Sequence, residues 1–209
     1  MQILKATPSS ILVASRIVKR GGVIVYPTDT VYGLGCDPFN GEAVEQILKI
    51  KDQRKKPLPV LGSDTENVKK VAHMSREARE LVARFWPGPI TLVLPKKATL
   101  PDVVTQNMSS VGVRIPKHEV AIQLIRQSGG LLVGTSANKT GKKPARTAYE
   151  AMEQLGKEIE VILDGGPTPI GTPSTVVDLT TDQPTILREG HVSLQEIARV
   201  LSLSRQLPH

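Results

Sequence analysis

With only one cysteine, Cys36, the chain has no internal disulfide and no four-cysteine zinc cluster, and a reducing cytoplasm is the simplest setting. Aromatic residues are nearly as scarce, at 3% of 209 positions, so the core must be built from Val, Ile, Leu and Ala. The same scarcity argues against sequence-specific recognition of single-stranded RNA, whose bases are commonly stacked on aromatic rings. No uninterrupted stretch approaches the roughly 20 apolar residues of a membrane span, and the N-terminus lacks the charged and apolar segments of a secretory leader. A soluble, unprocessed cytoplasmic protein with no membrane partner is expected. Acidic residues are outnumbered, 20 against 27 Lys and Arg, and the formal charge of +7 favours an anionic partner such as a nucleotide or nucleic acid. The length suits one substantial core, so a single domain over residues 1–209 is expected.

The stretch Tyr26-Pro-Thr-Asp-Thr-Val-Tyr-Gly-Leu-Gly35 organises the rest. Val23–Val25 reads as a buried strand, Pro27 removes an N–H from its ladder, and Gly33 and Gly35 permit close backbone approach. Between them, Thr28, Asp29, Thr30 and Tyr32 gather two hydroxyls, a carboxylate and a phenol at a strand end, a place where α/β proteins often hold small polar ligands. Taken alone, the stretch also reads as an ordinary turn rich in Thr and Gly.

Elsewhere a helix is expected over about 10–20, capped by Ser9 and ended by Gly21. Others follow over 42–50, after Ser75, over 119–127 and 149–155, and from a Ser193/Glu196 capping box to about Leu203, with a frayed tail to His209. Strands are expected at 58–61, 90–94, 111–116, 131–133, 161–163, 176–179 and 186–190. Trp86-Pro-Gly-Pro89 forces a rigid corner, and 96–109 shows no period and reads as a polar loop that is a candidate lid. The spacing from Gly134 to Gly141-Lys142 does not fit a Walker A loop.

At least four segments place a β-rich run against hydroxyls, glycines or a lone arginine, as though several strands converge on one pocket. Arg114 and Arg188, embedded in strands, and the basic run 51–56 supply charge for phosphates or a carboxylate; Thr30, Ser110, Ser136 and Ser174 supply directional hydrogen bonds. His73, His118, His191 and His209 are scattered, so no histidine metal site is expected.

Seven ordered segments resemble the YrdC-like family: Pro27–Gly35, the basic run ending Lys56-Pro57-Leu58, Trp86–Val93, Val111–Pro116, Ser136-Ala137-Asn138, Pro173–Asp178 and Leu187–Gly190. The resemblance implies an α/β fold, a single-domain twisted mixed sheet with flanking helices and a positive concave face. It also implies formation of threonylcarbamoyl-AMP and pyrophosphate from L-threonine, bicarbonate and ATP. A partner transferase complex then passes the threonylcarbamoyl group to an adenosine of tRNA. By the same resemblance, Thr30, Arg114 and Ser174 hold threonine; Lys56, Ser110, Ser136, Asn138 and Arg188 contact ATP; and Lys51 and Arg54 stabilise charge during adenylation. Magnesium is expected with ATP, held by the triphosphate and water without a protein metal cage. One departure concerns spacing: the family's Lys-x-Arg is here Lys51-Asp-Gln-Arg54, so either the loop is re-registered or Arg54 acts from a shifted position. The length resembles the family's short, single-domain form.

Two other readings remain. One is a carbamoyl-adenylate enzyme of the same fold with another substrate. The other is a non-catalytic protein that binds structured RNA through phosphate contacts, with RNA as its partner.

Overall fold

The structure, a computed structural model, describes residues 1–52 and 56–205. The chain opens with β1 (Gln2–Lys5), four residues too few to show a period, and enters α1 (Pro8–Lys19). The cap is Thr7 rather than Ser9: its hydroxyl accepts the Ser10 N–H, and the Ser10 hydroxyl accepts the Thr7 N–H at 2.8 Å. Pro8 explains the difference, because its fixed φ and missing N–H suit the first helical position and so make Thr7, two residues before Ser9, the cap. Then come β2 (Ile24–Tyr26), β3 (Gly33–Gly35), α2 (Gly41–Ile50, capped by Asn40), β4 (Val60–Gly62), α3 (Thr65–Val68) and α4 (Arg76–Phe85, capped by Ser75). The second half continues with β5 (Ile90–Pro95), α5 (Asp102–Thr105), β6 (Ser110–Arg114), α6 (Glu119–Gln127), β7 (Leu131–Val133) and β8 (Thr135–Ser136). It ends with α7 (Ala148–Leu155), β9 (Val161–Asp164), β10 (Thr175–Asp178), β11 (Thr185–Arg188) and α8 (Leu194–Arg205). The capping box forms as expected, the Ser193 N–H donating to Glu196 Oε2 at 2.9 Å. The expected frayed tail around His209 lies outside the described residues.

The mixed α/β character holds, and the strands form two sheets. One has the order β1-β9-β2-β3-β8 and the other β11-β10-β5-β6-β4-β7, each with parallel and antiparallel pairs. The chain steps from the second sheet to the first at Gly134, between β7 and β8. There the Val133 N–H donates to the Cys36 carbonyl and the Gly134 N–H to the Pro59 carbonyl, both at 2.9 Å. No side chain fits at this step: a Cβ on Gly134 would lie 2.4 Å from Leu61 Cγ, and one on Gly35 would lie 2.4 Å from the Val133 carbonyl oxygen. Which edge a three-residue strand joins depends on such contacts, and its own pattern carries no record of them.

Alternation then assigns the faces of the larger sheet. Leu92 and Leu94 of β5, Val111 and Val113 of β6 and Val177 of β10 are buried in the main core. Thr91 and Val93, Ser110, Gly112 and Arg114, and Val176 and Asp178 point the other way, into an open cleft. A second apolar cluster packs α1 and α6 through Ile11, Ile17, Leu124 and Ile125 against the smaller sheet's Ile24 and Leu163. The stretch 96–109 is not a free lid. Leu100 and Val104 are buried in the core, the Leu58 N–H donates to the Val104 carbonyl, and the Lys96 N–H to the Ser109 carbonyl. Two apolar anchors, four residues apart, are too few to set a helical or strand period.

The close approach at Gly35 gives a direct test. Gly35→Ala should destabilise the fold by about 1–3 kcal/mol through overpacking. Thermal unfolding should show this as a lower midpoint, at roughly 2–4 °C per kcal/mol for a chain of this size. Gly41→Ala, where a Cβ meets nothing within 4 Å at the start of α2, should be neutral or raise the midpoint slightly.

Candidate active site

The open face of the larger sheet forms the floor of a cleft of about 720 Å³, closed on the other side by Thr28, Thr30–Gly33 and Gly134–Ser136. Its polar groups come from strand ends. Thr30 follows β2, Arg114 ends β6, Ser110 begins it, Ser174 immediately precedes β10, Arg188 ends β11 and Ser136 ends β8. Register then sets their rows: Val176 of β10 lies beside Thr91 of β5 on one side and Arg188 of β11 on the other. Three cations, Lys56, Arg114 and Arg188, and one carboxylate, Asp178, line the cleft among the described residues. That balance suits a ligand bearing phosphate or carboxylate groups.

Arg114 is the best defined of these groups. It is 5% exposed, and Nε donates to the Gly88 carbonyl at 2.9 Å, Nη1 to Thr30 Oγ1 at 2.8 Å and Nη2 to Asp29 Oδ1 at 2.5 Å. Burial pushes the guanidinium pKa down and the Asp29 carboxylate opposes that shift; the group stays a cation. Gly88 delivers its carbonyl from the Trp86–Pro89 corner, where a Cβ would lie 2.2 Å from the Phe85 carbonyl oxygen. Three of the five guanidinium N–H groups are thus used by the protein, and the residue lines the cleft wall. Thr28 steadies the turn, its hydroxyl donating to the Val31 carbonyl at 2.7 Å and lying 3.1 Å from Thr30 Oγ1.

Arg188 belongs to a second cluster. Its Nε and Nη2 donate to the Ser174 carbonyl at 3.1 and 2.8 Å, Nη2 also reaches Ser174 Oγ at 3.2 Å, and that hydroxyl lies 2.8 Å from Thr91 Oγ1. Arg188 and Arg114 sense one another electrostatically, so the cleft holds two like charges that a bound anion relieves.

The cleft therefore brings together Thr30, Arg114, Ser174, Lys56, Ser110, Ser136 and Arg188. It does not bring Lys51 or Asn138 to its wall. The Lys51 ammonium is 3% exposed and donates to the Ser136 carbonyl at 3.0 Å, the Asn138 carbonyl at 2.5 Å and Asn138 Oδ1 at 3.2 Å. Asn138 spends its amide N–H groups on the Lys139 and Lys142 carbonyls. Both residues shape the backbone behind Ser136. Arg54 lies outside the described residues. Two contributors, Asp29 and Thr91, had no partner legible in the sequence. Asp29 was visible as a carboxylate between two threonines, without a signal for its partner 85 positions away. Thr91 was legible only as a hydroxyl in an otherwise apolar strand.

Comparison with known proteins agrees with this geometry. Residues 16–190 match the family model Sua5_yciO_yrdC, described as "Telomere recombination". A threonylcarbamoyl-AMP synthase of Pyrococcus abyssi is 40% identical over 200 residues, covering 95% of this chain and 59% of the relative, so the chain spans less than two thirds of that protein. A putative threonylcarbamoyl-AMP synthase of Mycobacterium tuberculosis is 40% identical over 188 residues, covering 89% of this chain and 86% of the relative. The crystal structure of P. abyssi Sua5 complexed with L-threonine superposes with a TM-score of 0.93 at 38% identity, covering 96% of this chain and 61% of the other. A match of this extent, over the segments that build the cleft, means that the chain belongs to the Sua5, YciO and YrdC family.

Proposed function

We propose that this protein is an L-threonylcarbamoyl-adenylate synthase, joining L-threonine, bicarbonate and ATP with release of pyrophosphate. The observation that carries the reading is Arg114: a buried guanidinium, fixed by three internal acceptors, set in the cleft wall beside the Thr30 hydroxyl. The named activity of relatives and the threonine bound to a related structure support the same substrate.

In this reading Arg114 takes the threonine carboxylate, with Thr30 and Ser174 beside the amino acid. The threonine amine and bicarbonate give a carbamate and water; a carbamate oxygen attacks the α-phosphorus of ATP, and pyrophosphate leaves. The threonine carboxylate, bicarbonate and ATP are all anionic, so the protein's main work is to hold them together and offset their charge. Lys56, Ser110, Ser136 and Arg188 line the space for the nucleotide, while Lys51 and Asn138 hold the backbone behind Ser136. Among the described residues no three His, Cys, Asp or Glu side chains gather as a metal set. One carboxylate with phosphates and waters is an ordinary ligand set for magnesium, and Asp178 is the cleft carboxylate that fits it. When bound, the ion neutralises triphosphate charge. The product then goes to a tRNA-modifying transferase complex. No described helix is long and apolar enough to cross a membrane.

The test is pyrophosphate release by the purified protein with ATP, magnesium and bicarbonate, with L-threonine present, omitted or replaced by serine. Release that depends on threonine, accompanied by a new adenylate in mass spectrometry, is expected; ATP left intact under every condition rejects the synthase. Arg114→Lys keeps the charge but offers a single ammonium where a fork is needed. Its threonine-dependent kcat/KM should fall about 30- to 150-fold, the loss of roughly 2–3 kcal/mol of charge-assisted bonding. Arg188→Ala should instead act mainly on the nucleotide, raising KM for ATP about tenfold. Equal effects of the two substitutions on both substrates would contradict the division of the cleft.

A further inference from the structure

Behind the cleft wall lies a buried polar cluster that the proposed chemistry does not use. Arg114 engages only one oxygen of the Asp29 carboxylate, although both side chains are close to fully buried. The second, Asp29 Oδ2, is buried with no hydrogen-bond partner. So is His118 Nδ1, on the residue that precedes α6. Gly165, which follows β9, locates the imidazole near the turn that carries Asp29: a Cβ on it would lie 2.7 Å from Pro27 Cγ and 3.6 Å from His118 Cε1. Buried carboxylate and imidazole atoms are seldom left unpaired in folded proteins.

We propose that Asp29 and His118 are positioning residues for Arg114: the carboxylate holds the guanidinium against the cleft from behind, and the imidazole, sharing that carboxylate, sets how much positive charge Arg114 presents to a substrate carboxylate. The inference rests on the reading of the cleft as a threonine site. With His118 neutral, Arg114 and Asp29 together carry no net charge; with His118 protonated, the cluster carries one positive charge and attracts an anion more strongly. Burial lowers the His118 pKa, while Asp29, and Glu119 beside it on α6, work to raise it. The other groups acting on Arg114 are Tyr26, fully buried in the adjoining strand β2, and Arg188 across the cleft. By linkage, a carboxylate bound to Arg114 must raise the His118 pKa as much as His118 protonation tightens that carboxylate.

The sign is checked by titrating the His118 imidazole by NMR in the full chain, with and without L-threonine, in the wild type and in Asp29→Asn. Threonine should raise the His118 pKa, and Asp29→Asn, which keeps the shape and removes the charge, should lower it. A His118 pKa that does not move in Asp29→Asn overturns the inference whatever ligand the cleft takes. Calorimetry supplies the second readout. Asp29→Asn leaves Arg114 with the same net positive charge that His118 protonation gives the cluster, so L-threonine binding should tighten, by up to about tenfold, with ATP binding unaltered. His118→Gln should remove the pH dependence of threonine affinity expected of the wild type, which tightens as the pH falls through the lowered His118 pKa. Unchanged threonine affinity in Asp29→Asn, or a pH dependence that persists in His118→Gln, also overturns it. Absence of threonine binding in the wild type fails the substrate reading instead, and the Asp29→Asn titration still decides the coupling.

Discussion

A cation taken out of water must find its partners inside the protein, and the arrangement around Arg114 follows from that requirement. Removing a guanidinium from solvent costs several kcal/mol unless its N–H groups and its charge are met. Three segments distant in sequence meet them here: the turn after β2 gives Asp29 and Thr30, the corner before β5 gives the Gly88 carbonyl, and β6 gives the arginine itself. None of the three is stable in this form alone. The buried pair is therefore weak evidence for stability and good evidence for geometry, since a partner removed from either side leaves an uncompensated charge.

The sheets turn that local requirement into a cleft. Alternation along β5, β6 and β10 sends leucines and valines to the core and threonine, serine, arginine and aspartate to the open face. The step at Gly134 then places the smaller sheet's turn over that face. Close packing at Gly35 and Gly134, where a methyl group would strike a backbone carbonyl or Leu61, keeps the two sheets near enough for Thr30 to touch Arg114. The basic run is divided by the same logic: Lys56 lines the cleft, whereas Lys51 is drawn inward by three oxygens of Ser136 and Asn138. A lysine satisfied in that way acts as a structural cross-link for the backbone behind Ser136.

Much of this was legible in the chain itself. Helices over 119–127 and from Ser75, strands at 131–133 and 161–163, and the Ser193/Glu196 cap are written in local periods and capping residues that need only their own neighbours. So was the convergence of Thr30, Arg114, Ser174 and Arg188, because polar groups at the ends of apolar strands have few other uses. The division into two sheets, the anchoring of 96–109 through Leu100 and Val104, and the inward turn of Lys51 were not. Each rests on contacts between residues far apart in the chain. Sequence alone determined which residues are polar at strand ends, because periodicity is a local property. Only the tertiary structure decided which of them meet, since the partners of a buried charge are chosen by packing at long range: Asp29 joins Arg114 from 85 residues away, and Lys51 joins Asn138 from 87.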